Sequence, residues 1–222
     1  MPNKFSSKPL KKVSSNSEMK LYVRVTILGL AIFLGLFTYT SWLKIPGVLN
    51  KSVADTATIL IGLSMLLSAL CYFWNFFDSK IIYRKHLGLI GFAFAVVHLI
   101  LSWSAMMDFI QVETWKENAV WAPLTGTVAL LIFTIMSLIS NRFSALKLGG
   151  NNWKLILRTG YFALVLVFLH VVLLKGARWV TWYEGGMKTS PSSSLLVSSF
   201  IVIVVLMRIG LWFSLKKQRR LK

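Results

Sequence analysis

The sequence predicts an all-α integral membrane protein, a six-helix transmembrane bundle with both termini cytoplasmic, and three observations predict it. Hydrophobic residues fill 56% of the 222 positions and charged residues only 14%, more apolar and less charged than a water-soluble domain of this size. Apolar runs of roughly 20 residues recur along the chain, each long enough to cross a hydrocarbon core about 30 Å thick as a helix. The basic residues gather in alternate connections, the pattern that positive loops retained in the cytoplasm leave behind.

A basic tail, residues 1–20, precedes the first span at 21–43. That span is too long for a removable signal and lacks a small-residue cleavage site, so it is read as a retained helix. Further spans are expected at 54–77, 86–109, 120–140, 155–175 and 194–214, followed by a short basic tail at 215–222. The transmembrane unit is thus 21–214, and no nucleotide- or flavin-binding domain is expected beside it; such a partner would be another chain. Of the 25 Lys and Arg, 19 fall in Lys4 to Arg24, Lys80 to Lys85, Arg142 to Arg158 and Arg208 onward, and six (Lys44, Lys51, Lys116, Lys175, Arg178, Lys188) on the opposite side. Asp55, Asp108, Glu113, Glu117 and Glu184 lean toward that opposite, outer side. Trp42, Trp103, Trp115, Trp121, Trp179 and Trp182 cluster at the outer ends, where an aromatic belt suits the headgroup region. The formal charge of +18 is scattered between apolar spans rather than gathered on a polar face, which speaks against nucleic acid and for membrane lipid as the medium. A single cysteine, Cys71, excludes an intramolecular disulfide, and no CxxCH site for covalent haem exists.

Two histidines lie deep within apolar segments, His98 after Gly91-Phe-Ala-Phe-Ala-Val-Val and His170 after Ala163-Leu-Val-Leu-Val-Phe-Leu. An ionisable group at that depth faces the bundle interior, pairs with something or marks function. A hydrogen bond to a neighbouring helix would explain a lone one equally well. Two at matched depth tip the balance. At 1.5 Å per residue, His98 stands about 20 Å above Lys85 and His170 about 18 Å above Arg158, so both reach the same level of the outer half on the third and fifth helices. A flat ligand clamped between two imidazoles fits that arrangement. A bare metal does not, because no Cys, Asp or Glu is expected at the same depth to complete a site. Haem brings four nitrogens of its own, and two axial histidines then give a six-coordinate b-type centre suited to electron transfer. Gly91, Ala95, Ser102 and Ala105 share the His98 stripe, and Gly160 and Ala163 that of His170; they would leave room for a macrocycle, or serve close helix packing. His86, beside Arg84 and Lys85, reads as a solvated interfacial residue, with a quinone or proton contact as the functional alternative.

The run Tyr83 to His98 (YRKHLGLIGFAFAVVH) resembles the third helix of the ferric reductase-like transmembrane domain family. Gly126 to Arg142, Leu148-Gly, Trp153-Lys, Arg158, Tyr161 and His170 are similar to its fourth and fifth helices, so that the resemblance covers about residues 50–180. It is closest to the stand-alone bacterial branch that includes the haem-bearing membrane subunit of the methionine sulfoxide reductase system. The resemblance implies a multi-pass protein of the bacterial cytoplasmic membrane passing electrons from quinol or a flavoprotein partner to an acceptor at the outer face, with His98 and His170 as axial pair of the outer haem. One position departs from the family: Leu157 stands where a histidine would ligate an inner haem. One haem is therefore expected, with membrane quinol or another haem protein favoured as donor; flavin finds no support in the residues. Lys116, Lys175 and Arg178 are candidate propionate or partner contacts. The rival reading is a non-catalytic membrane protein with structural histidines and no haem. A transporter fits less well, since no span carries the paired charges of midplane substrate sites.

Overall fold

Helices account for all the regular structure among the described residues, and the computed structural model describes residues 15–103 and 120–220, the side chains of Ser15 and Arg219 excepted. The order is α1 (Ser15–Trp42), α2 (Val48–Phe73), a 3-10 segment (Asn75–Tyr83), α3 (Arg84–Leu101), α4 (Trp121–Ile139), short α5 (Arg142–Leu148) and α6 (Gly150–Arg158), α7 (Gly160–Glu184) and α8 (Ser193–Arg220). Six segments are long and apolar enough to cross a membrane. Their outward faces are apolar: Leu34, Leu131, Leu138 and Leu206 are all more than half exposed. The interior instead holds Thr40, Ser52, Asp55, Thr56, Ser64, Ser193 and Ser198, all buried. Small and polar residues inside with aliphatic ones outside is the distribution that lipid as solvent favours.

Helix α2 is the central element, packed against α1, α3, α7 and α8, while α4 pairs chiefly with α7. Two glycines permit the closest approaches. A Cβ on Gly91 would lie 2.9 Å from the backbone nitrogen of Ile61, and one on Gly160 would lie 2.8 Å from Sδ of Met136 and 2.9 Å from Cε of Met65. These two residues therefore serve helix packing and do not open the space expected of their stripes. The half of the bundle around Gly160 is filled by Met65, Phe133, Ala163, Leu164 and Ile201, with Met136 and Tyr161 against them. Tyr161 donates its hydroxyl to the Met65 carbonyl (2.9 Å) and lies under the Arg208 guanidinium, 4.9 Å from the ring centroid.

Several boundaries move from their sequence-based positions. Helix α1 begins at Ser15, so the last residues of the basic tail are helical, and α8 runs to Arg220, where Lys216 lies over the Trp212 ring at 5.0 Å. Helix α2 begins at Val48, behind Gly47 in the left-handed region (φ 71°), and not at 54. Its first turns carry Asn50, Lys51 and Ser52, polar residues that look like loop but face the interior. Helix α7 starts at Gly160 and reaches Glu184, so Lys175 and Arg178 sit on a helix and not in a connection. The end of the expected third span, with Ala105 and Asp108, and the connection after it, with Glu113, Trp115, Lys116 and Glu117, lie outside the described residues.

Candidate functional site

His98 on α3 and His170 on α7 line one cavity of about 680 Å3, within the range that encloses a small-molecule or cofactor ligand. Its walls come from α2 (Ala54, Ala57, Thr58, Ile61), α3 (Ala95, Leu99), α4 (Gly126, Thr127, Leu130, Phe133) and α7 (Leu164, Val167, Leu174). The small side chains of α2 and Gly126 on α4 provide the room, whereas of the expected stripes only Ala95 and Ser102 reach the cavity among the described residues.

Each imidazole is held through Nδ1. That of His170 lies 2.6 Å from the carbonyl oxygen of Ala122. A carbonyl only accepts, so Nδ1 carries the proton and the neutral ring keeps its lone pair on Nε2. Helix α4 comes close enough for this bond because residue 126 has no side chain: a Cβ there would stand 2.8 Å from Nδ1 of His170 and 3.0 Å from Cε1. Nδ1 of His98 lies 2.6 Å from Oδ1 of Asn50, whose amide nitrogen donates to Oγ of Ser102 at 2.9 Å. With the Asn50 amide committed to Ser102, its oxygen faces the ring and accepts from Nδ1–H. The two histidines are thus the same tautomer, oriented by partners on different helices, as metal-ligating imidazoles are.

The donor set suits haem better than a bare ion. Among the described residues no group of three or more His, Cys, Asp or Glu stands together as a metal cluster, and two imidazoles alone underfill a tetrahedral or octahedral ion. Two imidazoles lining one largely apolar cavity, each with Nδ1 engaged and Nε2 left as the acceptor nitrogen, are the complement that a tetrapyrrole iron needs.

One end of the cavity is polar. Lys51 and Lys175 line it with Asp55 and Ser194. Asp55 is buried, accepts the Ser193 hydroxyl proton at 2.6 Å and stands 3.7 Å from Nζ of Lys51. A paired charge inside a span was not expected: with the second span placed to start at 54, Lys51 read as an outer-loop residue and Asp55 as lying at the outer end of the span. Arg178 does not line this cavity; it lies with Leu43, Trp179 and Trp182 on a separate pocket of about 270 Å3. Lys116 lies outside the described residues. His86 is far from solvated: it is 4% exposed, its Nδ1 faces the Ile82 carbonyl at 3.1 Å, and its ring packs edge-on against Tyr22 at 4.5 Å. The correction follows from α1, which starts early enough to bring Tyr22 over it. Leu157 lies on α6, before the break at Thr159.

Asn50, Ala122, Gly126 and the Lys51–Asp55 pair were missed from the sequence. Asn50 was hidden by its polar neighbours, Ala122 acts through its backbone, and Gly126 differs in no visible way from the packing glycines.

No family model matches the chain. The magnetosome protein MamZ of Magnetospirillum gryphiswaldense is 26% identical over 154 residues, 67% of this chain and 23% of that protein. The heme-binding subunit MsrQ of protein-methionine-sulfoxide reductase from Rhodospirillum rubrum is 29% identical over 52% of this chain and 55% of its own length. Its counterpart from Agrobacterium fabrum is 30% identical over 44% and 45% respectively. The chain therefore matches about a quarter to about half the length of these relatives. The resemblance to the stand-alone bacterial branch, read from Tyr83 to His98 and from Gly126 to His170, is shown by these relatives.

Proposed function

We propose that this chain is the haem-bearing membrane component of an electron-transfer system, holding one b-type haem between His98 and His170. The supporting observation is the shared cavity with both Nδ1 atoms hydrogen-bonded, at 2.6 Å each, and both Nε2 lone pairs left for a ligand. When bound, haem supplies a one-electron iron couple. His98 and His170 would hold the iron, and a haem held by two histidines would serve one-electron transfer. Asn50 and the Ala122 carbonyl hold the rings in register and raise their basicity. The largely apolar walls from α2, α4 and α7 would lower the polarity around the iron, one of the means by which a site sets its potential.

The heme-binding name of the two reductase subunits supports the reading. One haem is favoured over two by Leu157 and by the Met65, Met136 and Tyr161 packing around Gly160. The membrane is taken as the bacterial inner membrane with both termini cytoplasmic, and the haem as lying in the outer half. Membrane quinol or another haem protein then serves as donor, and the acceptor is a protein or small molecule at the outer face.

Purified protein should show reduced-minus-oxidised haem bands, a pyridine haemochrome should give one haem per chain, and His98→Ala and His170→Ala should each abolish the bands. A colourless protein, or bands that survive both substitutions, would falsify the proposal and favour structural histidines.

A further inference from the structure

We infer that Lys51, with Lys175 beside it, forms a carboxylate-binding end of the cavity, and that Asp55 is only the resting partner of the Lys51 ammonium. The inference rests on the haem reading of the site, since haem carries two carboxylates on one edge.

An ammonium has three protons to donate. Nζ of Lys51 is buried and makes no hydrogen bond. Its nearest anion, Oδ2 of Asp55, is 3.7 Å away, within ion-pair range but beyond a hydrogen bond, and that oxygen already accepts the Ser193 proton at 2.6 Å. The Lys51 side chain is only 12% exposed, so bulk water is not its partner. A buried charge with its donors unfilled is costly unless something pairs with it. Lys175 brings a second positive charge to the same end of the cavity, five residues beyond His170 on α7. Two cations against one carboxylate leave this end net positive, and most of the rest of the wall is apolar. A ligand with an apolar body and an anionic edge is what such a cavity accepts.

Asn50 and Lys51 are adjacent on α2, so one turn of helix orients the His98 imidazole and carries Lys51 in the cavity wall. Ligand seating at the iron and at the carboxylates would thus be coupled through a single element. Asp55, tethered to α8 through Ser193, keeps the ammonium from leaving the bundle before the ligand arrives.

The test compares ferric haem with its dimethyl ester, whose carboxylates are capped, titrated into haem-depleted full-length protein in detergent and followed by absorbance. The wild type should bind haem about 10-fold tighter than the ester, a difference of the size expected for one charge-assisted hydrogen bond. Lys51→Met should lose that preference while still giving the low-spin bis-histidine spectrum with either compound, and Lys51→Arg should restore it. Equal affinity of the wild type for both compounds, or a Lys51→Met loss that is the same for both, overturns the inference. Neither compound giving a low-spin spectrum in the wild type overturns the haem reading beneath it.

Discussion

A Cβ on Gly126 would stand 2.8 Å from Nδ1 of His170, closer than real Cβ contacts come, and the imidazole is itself pinned by the Ala122 carbonyl one turn earlier. Gly126→Ala must therefore turn the ring or push α4 away from α7, and either movement breaks the bond that fixes the tautomer. Loss of such an orienting partner typically lowers affinity 10–100-fold. Haem affinity of Gly126→Ala, measured by titration, should fall by about that factor with secondary structure retained by circular dichroism; unchanged affinity would mean that helix α4 does not set the ring. His86 teaches the opposite lesson. Its position beside Arg84 and Lys85 suggests a wet interface, yet Tyr22 from α1 covers it. Local sequence reports a residue's neighbours along the chain, and burial depends on neighbours across the bundle.

Helix α2 carries most of what the sequence left unread. A start at Val48 places Asn50 and Lys51 on one turn and Asp55 on the next, where they meet His98, the cavity and Ser193. The same close approach that lets α2 reach α3 depends on Gly91, whose Cβ would meet the Ile61 backbone at 2.9 Å. Backbone cannot rotate aside as a flexible side chain does. Gly91→Leu should overpack this contact by about 1–3 kcal/mol, lowering the thermal unfolding midpoint in detergent. A midpoint equal to that of the wild type would refute the tight α2–α3 contact. The short helices α5 and α6 connect α4 to α7 through Gly149, in the left-handed half of the map at φ 75°, and Trp153 donates its indole N–H to the Ile139 carbonyl at 2.9 Å. That bond ties the connection to the end of α4 and places Leu157 near the start of α7.

The whole bundle presents aliphatic residues outward and keeps hydroxyls and its one described salt bridge inward. The orientation we propose rests on charge: the Arg142 to Arg158 connection is basic, and Lys188 is the one charged residue of the Gly185 to Ser192 connection. In a Cys71→Ser background, Ser190→Cys should react with a membrane-impermeant maleimide added to intact cells, and Asn151→Cys only after lysis. The reverse pattern would invert the topology and put the haem site in the cytoplasmic half.

Six spans, their approximate places and the two histidines deep within them were legible in the sequence, because hydropathy and charge are properties of the chain in one dimension and lipid acts on each segment separately. What the tertiary structure decided lies between segments. His98 meets Asn50 and His170 meets Ala122 across 48 residues each, and Asp55 meets Ser193 across 138. The ring tautomers, the cavity and the burial of the Lys51 ammonium without a hydrogen bond arise only when distant partners come together, since hydrogen bonds and packing depend on separations in space that no spacing along the chain encodes.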